Sequence, residues 1–355
     1  MTNEQLVKIV GEPIFFERNR VGRVYRGGKL FGDFFGDDGT DGYLPEEWMA
    51  SAVRAINKGS NDPKEGISRV FGTDIYFDDL LKSHRVELIG QRESLDVLVK
   101  MLDSAERLPV QAHPDKAFSR KHFNSSFGKA ESWTVVGVRP GAKIYHGFSR
   151  QVGPEEFEAA IQMSLDKIDG FSKFLNVIDV APGDCFFIPA NTIHAIGPGC
   201  LILEVMEPSD FTISPEYWCG DYRLSDEEMY LGLDKATAID VFDFESHGAQ
   251  ALTANTLKPA IIEQADGVSR ESIVGSQITD CFSLNRIRVN GGIAMLKAAP
   301  AIYVVTNGKG TLQGENYERD LKKGDYFFLP VIANEKFAIS SDDIEVYECI
   351  PPSLV

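Results

Sequence analysis

The chain has 355 residues, 43% hydrophobic and 25% charged, a balance that suits a folded soluble protein of about two domains. Thirty-six basic against fifty-three acidic side chains leave a net charge of −17, a field that repels phosphate backbones and anionic lipid and argues against nucleic-acid and membrane partners. No apolar run approaches the ~18 residues of a membrane-spanning helix. The opening MTNEQLVKIVG lacks signal-peptide character, and five cysteines without a CxxC pair read as reduced thiols of a cytoplasmic protein.

In chain order, residues 27–42, GGKLFGDFFGDDGTDG, are rich in Gly and Asp and are expected to form a long loop. Pro45 to Ile56 reads as a short helix with proline in its first turn. Leu95, Leu98, Val99 and Leu102 fall at i, i+3, i+4, i+7 and predict an amphipathic helix over 93–104. Strand signals dominate from about residue 107. A third helix is expected within 154–171, carried by Phe157, Ile161, Leu165 and Ile168, with Gly170 as its stop. Ser225 and Glu228 have capping-box spacing ahead of Met229, Leu233 and Ala236, which predicts a helix over 226–236.

An internal repeat organises the rest. Gly183–Pro189 reads GDCFFIP and Gly324–Pro330 reads GDYFFLP, identical at five of seven positions. Each follows an apolar segment and a Gly turn, TVVGVRPGA at 134–142 and YVVTNGKGT at 303–311. A Gly-Asp turn, a buried apolar strand and a proline that ends the ladder predict two copies of one β unit. The expected fold is mainly β with helical insertions at about 154–171 and 220–245, built as two jelly-roll barrels over residues 1–255 and 256–355.

Six histidines are present. On a strand, Gln111 and His113 share a face, opposite Val110 and Ala112, so that an amide and an imidazole project together. His194 follows the first repeat in IPANTIHA, whereas the corresponding LPVIANEKFAI has none, which predicts one metal-binding half and one metal-free half. Glu131, just ahead of the strand at 134–138, is either a third donor or a solvated loop carboxylate. His84, His122, His146 and His247 carry no assigned role.

The segments QAHPDK, GKAESW and FFIPANTIHAIGPGCLILEVMEPSD, with LPEEWMAS at 44–51, resemble the zinc-dependent, type I mannose-6-phosphate isomerase family of the cupin superfamily over most of the chain. The resemblance implies that Gln111, His113, Glu131 and His194 hold one zinc ion per chain. One carboxylate leaves such an ion a net positive charge, which suits a Lewis acid, and the donor set also accepts other divalent metals. It further implies aldose–ketose isomerisation through a cis-enediol, with mannose 6-phosphate and fructose 6-phosphate as the leading substrate pair. Lys129, Glu204 and Asp210 match family positions beside the metal, as donor or proton-transfer groups, with structural roles as the alternatives. One departure stands out: the family places an arginine four residues past the aspartate, and here that position is Ser214. Arg223, nine residues further on, is the alternative cation on that loop. Two rival readings follow, an isomerase of another sugar, unphosphorylated or differently phosphorylated, and a sugar-binding sensor without turnover. The partner is a small sugar or sugar phosphate, and the sequence sets no oligomeric state.

Overall fold

The computed structural model describes residues 3–354. Two large antiparallel sheets dominate. The site sheet has seven strands in the order Thr256–Leu257, Cys185–Ile188, Glu131–Val138, Cys200–Met206, Leu98–Asp103, Glu46–Met49, Arg20–Val21. The second sheet has nine, along the path Ile14–Phe15, Tyr326–Leu329, Ala301–Gly314, Phe337–Ile350, Ser283–Val289, Val268–Val274, Ala260–Ala265, with Tyr317–Lys322 and Gly292–Met295 paired off it. A three-stranded sheet, Leu175–Asp179, Lys143–Phe148 and His194–Ile196, shares an apolar core with the site sheet. No helix of the described residues is long and apolar enough to cross a membrane.

The expected pair of jelly-roll barrels does not form. Neither large sheet closes, and the result is a mixed α/β fold of open sheets. The site sheet ends at two-residue strands, Arg20–Val21 and Thr256–Leu257, too short to carry a ladder onward, and the three-stranded sheet opposite shares no strand ladder with it. The second sheet ends at Ile14–Phe15 and Ala260–Ala265. Ile14 and Phe15 pair with Phe328 and Phe327, so the chain's first strand lies in the sheet built from its last hundred residues.

Three sequence expectations are corrected, each for a packing reason. Segment 93–104 contains a strand, Leu98–Asp103, instead of a helix. Its apolar residues form a nearly continuous run, and a strand buried on both faces produces that pattern as readily as a helix does. Segment 45–56 contains the strand Glu46–Met49, all four residues buried, with Trp48 opposite Lys100 in the ladder. Segment 27–42 is not all loop: Lys29–Phe35 is a helix that buries Phe31, Phe34 and Phe35, whose i, i+3, i+4 spacing outweighs Gly32.

The helix at 154–171 runs from Pro154 to Leu165 and ends before Lys167, whose φ is 59°. Gly170 serves a different purpose from a stop. A Cβ there would lie 2.7 Å from Ala160 Cα, so its lack of a side chain lets the following loop cross the helix. The Ser225–Glu228 capping box forms, but the predicted helix divides into Asp226–Tyr230 and Lys235–Ile239, because Leu231 and Gly232 both take positive φ.

The repeat is visible as packing. Gly183 and Gly324 turn with φ of 99° and 88°, and each feeds a four-residue buried strand. Cys185 and Phe187, like Tyr326 and Phe328, enter one core shared by the two large sheets. Phe186 and Ile188 face the core of the site half, and Phe327 and Leu329 that of the second half.

Candidate metal centre and cavity

Register places a row of side chains across one face of the site sheet. Trp48 pairs with Lys100, Lys100 with Glu204, Glu204 with Trp133, and Trp133 with Phe186. Glu131 stands two residues before Trp133, on the same face. Opposite, Gln111 exchanges backbone hydrogen bonds with His194 (2.9 and 2.8 Å), and Ala112 donates to Ile213 O at 2.9 Å. These bridges hold the 111–113 segment over the sheet.

His113, Glu131 and His194 meet in the interior. His113 Nε2 lies 3.4 Å from Glu131 Oε2, and His194 Nε2 lies 3.4 Å from Glu131 Oε1. One donor atom from each of the three residues falls within 4.8 Å of the others. A span of about 3.3 Å is what tetrahedral zinc sites with bonds near 2.05 Å produce between donors. Gln111 Nε2 is 3.3 Å from His194 Nε2, so the amide adjoins the same space and presents its oxygen when turned over.

Both outer nitrogens are committed: His113 Nδ1 donates to Phe211 O at 2.9 Å and His194 Nδ1 to Thr192 O at 2.8 Å. Those bonds fix the tautomer that leaves each Nε2 lone pair facing Glu131, an arrangement typical of metal-binding histidines. Burial lowers the pKa of both imidazoles, His194 to about 3, with neighbouring positive charge adding to the effect, so both are neutral donors at physiological pH. Burial would raise Glu131, but in the acid range where it titrates protonated His113, together with Lys129, favours its charged form and holds it well below the usual carboxylate range. Both Glu131 oxygens are buried without a hydrogen-bond donor. A buried carboxylate left this way costs several kcal/mol unless a cation balances it, so the residues fit a divalent metal.

A cavity of about 460 Å³ opens beside this cluster, with Gln111, Lys129, Glu204, Asp210 and Ser214 in its wall. Lys129 Nζ approaches His113 Nε2 at 2.9 Å and Thr212 Oγ1 at 3.5 Å. Glu204 accepts from Trp133 Nε1 at 3.1 Å and faces Lys100 Nζ at 3.5 Å. Burial, reinforced by the charge of Glu131, pushes the Glu204 pKa up to about 7.

Asp210 is placed differently from a free proton-transfer group. It accepts from Arg23 at 2.9 and 3.0 Å and from the Ile56 amide at 2.8 Å, tying the 53–57 segment to the cavity wall. Ser214 turns its hydroxyl away to Val110 O at 2.9 Å. Arg223 is corrected as a site candidate: it is exposed, stacks 5.7 Å from the Tyr217 ring and is not in the cavity wall, because the short Trp218–Cys219 and Tyr222–Arg223 hairpin carries it outward.

Several wall residues escaped the sequence reading. Lys100 is almost fully buried, 3.7 Å from Glu46, 3.5 Å from Glu204 and 3.9 Å from Asp210. Arg23 reaches the same carboxylates, at 3.1 Å from Glu46 and 2.9 Å from Asp210. Tyr25 and Trp48 each donate to Glu46 at 2.6 Å. Burial would raise Glu46, but Arg23 and Lys100 pull its pKa down to about 2. The available signal was a lone lysine inside the apolar run LDVLVKMLD. Read as a strand, that run puts Lys100 on the face of Leu98 and Leu102. A second cavity, about 730 Å³, lies away from all these residues, against Tyr317 and Arg319.

No family model matches the chain. A mannose-6-phosphate isomerase of Streptococcus mutans is 29% identical over 329 residues, covering 90% of this chain and 93% of that protein. The crystal structure of the mannose 6-phosphate isomerase from Bacillus subtilis superposes with a TM-score of 0.75 at 24% identity, covering 95% of this chain and 99% of that one. A zinc-bound mannose 6-phosphate isomerase superposes with a TM-score of 0.70 at 16% identity, covering 96% and 100%. These two structures share the fold, and the sequence likeness extends over nearly the whole length. Over nearly its whole length the chain is similar to mannose-6-phosphate isomerases.

Proposed function

We propose that this protein is a metal-dependent isomerase that interconverts mannose 6-phosphate and fructose 6-phosphate. The observation that carries the reading is the His113–Glu131–His194 cluster, with two buried carboxylate oxygens that accept no hydrogen bond, beside a cavity that also holds a lysine and a carboxyl titrating near 7. Gln111, His113, Glu131 and His194 would hold one divalent ion, zinc by family, which supplies Lewis-acid stabilisation of negative charge on the sugar oxygens.

The remaining chemistry belongs to the side chains. Glu204, with a pKa near 7, is suited to take the proton from the carbon beside the carbonyl and return it to its neighbour, since a base titrating near the working pH serves both directions. Trp133 Nε1 orients that carboxyl and Lys100 faces its other oxygen. Lys129 donates toward the oxygens of the enediol from the side of His113. Arg23, Glu46 and Asp210 brace the wall, and the buried apolar flank at Leu102, Leu108 and Ile196 keeps the dielectric low.

The test is a coupled assay on metal-loaded protein with mannose 6-phosphate, fructose 6-phosphate and the free hexoses. Turnover of the phosphorylated pair with deuterium exchange at C1 or C2 is expected. Turnover confined to a free sugar, or none with the metal site filled, would overturn it.

A further inference from the structure

The four cations of the cavity wall are not equivalent. Lys129 adjoins the metal-binding side chains, and Lys100 is 3% exposed among three carboxylates. Arg23 is largely buried, its guanidinium engaged by Glu46, Asp210 and Asn57 Oδ1. Lys58 differs from all three. Its side chain is 53% exposed, and its ammonium crosses the mouth to Glu228 Oε2 at 3.1 Å and Ser225 Oγ at 3.2 Å.

Glu228 does not depend on that contact. It also accepts from Tyr222 OH at 2.6 Å, the Ser225 amide at 2.9 Å and Ser225 Oγ at 2.6 Å. Lys58 can therefore leave without stranding a charge. Its own amide and that of Gly59, both at the mouth, donate to no acceptor among the described residues.

A hexose 6-phosphate carries its reacting carbons and its dianion at opposite ends. With the first two carbons against the buried metal cluster, the phosphate points toward the mouth. Resting on the function proposed above, we infer that Lys58, with the adjoining amides, is the phosphomonoester subsite of this enzyme. Glu227 and Glu228 form the facing lip and repel the dianion, which confines it to the Lys58 side. The one exposed cation of the wall thus exchanges a carboxylate partner for the substrate's phosphate.

Steady-state kinetics of the metal-loaded enzyme test this, with inorganic phosphate as a competing ligand. Lys58→Met should raise KM for the hexose phosphate about tenfold, weaken inhibition by phosphate in parallel, and change kcat far less. Lys58→Arg should restore most of the affinity, and Glu227→Gln should lower KM by removing repulsion. Metal content and melting temperature of each variant establish that the fold is kept. The inference is overturned if Lys58→Met keeps the wild-type KM and phosphate inhibition, or if it lowers kcat at constant KM. Failure of the function itself would show in the wild type, as absence of turnover on any hexose phosphate, before a variant is made.

Discussion

The two large sheets carry the same aromatic–carboxylate pair at the same register. In the site sheet Trp133 lies between Phe186 and Glu204, and its Nε1 donates to Glu204 at 3.1 Å. In the second sheet Tyr303 lies between Phe327 and Glu348, and its hydroxyl donates to Glu348 at 3.0 Å. Two residues earlier on the central strand, the first sheet has Glu131 opposite Ile188, and the second has Ala301 opposite Leu329. The next strand outward offers Lys100 to Glu204 and Asn285 to Glu348. Arg270 then closes the second cluster, meeting Glu348 at 2.5 and 2.6 Å. One frame therefore supports two outcomes. Where the carboxylate row meets histidines and an open cavity it forms a site, and where it meets Ala301, Arg270 and a closed core it forms packing.

Removing the metal-binding side chains should break the comparison most completely. His113→Ala with His194→Ala is expected to abolish metal binding and turnover together. Elemental analysis of protein purified without a histidine tag should fall from about one metal per chain to near zero, and retained metal would sink the ligand assignment. Lys129→Ala comes next. With the ligands intact it should keep its metal and lose roughly 10²-fold or more in turnover, the scale for one acid–base or charge-stabilising group. A rate within a factor of two of wild type would remove Lys129 from the mechanism.

The second cluster should respond in stability alone. Arg270→Met leaves Glu348, which has no exposed surface, without its cation, at a cost of about 3–5 kcal/mol. Denaturant melts should show that loss while kcat per folded, metal-loaded chain stays near wild type. A large fall in kcat at unchanged stability would mean that the second half takes part in the chemistry.

Alternation alone brought Gln111 and His113 to one face, whereas Glu131 and His194 joined them as metal donors only through the family resemblance of GKAESW and IPANTIHA. The repeat was legible because Gly-Asp followed by an apolar tetrapeptide needs no tertiary information. Barrel closure was not, since it depends on whether edge strands such as Arg20–Val21 and Thr256–Leu257 grow long enough to pair, and no local pattern states that. Lys100 was hidden by period. In 93–104 the buried residues satisfy a helical and a strand reading equally, and only the helix puts the lysine in solvent. Arg23 and Glu46 were hidden by distance along the chain, because they gain meaning only when Asp210 arrives from 187 residues beyond Arg23.

Glu204 and Glu131 should separate by pH, the first raised and the second lowered from the ordinary glutamate value. Glu204 titrates near 7 in the folded protein, above the 4.5 of an exposed glutamate, with burial the largest cause and the charge of Glu131 the next. Between those values the folded chain binds this proton more tightly than the unfolded chain does. The stabilisation is therefore complete below about 4.5 and is lost as pH rises through about 7. In metal-free protein, the melting temperature should decline across that interval by more than in Glu204→Gln, whose amide does not titrate. Loading the metal should shrink the difference, because a cation beside Glu131 cancels the charge that opposes ionisation of Glu204. If both proteins show the same pH dependence with and without metal, Glu204 is not the group titrating near 7, and its assignment as the proton carrier loses its physical basis.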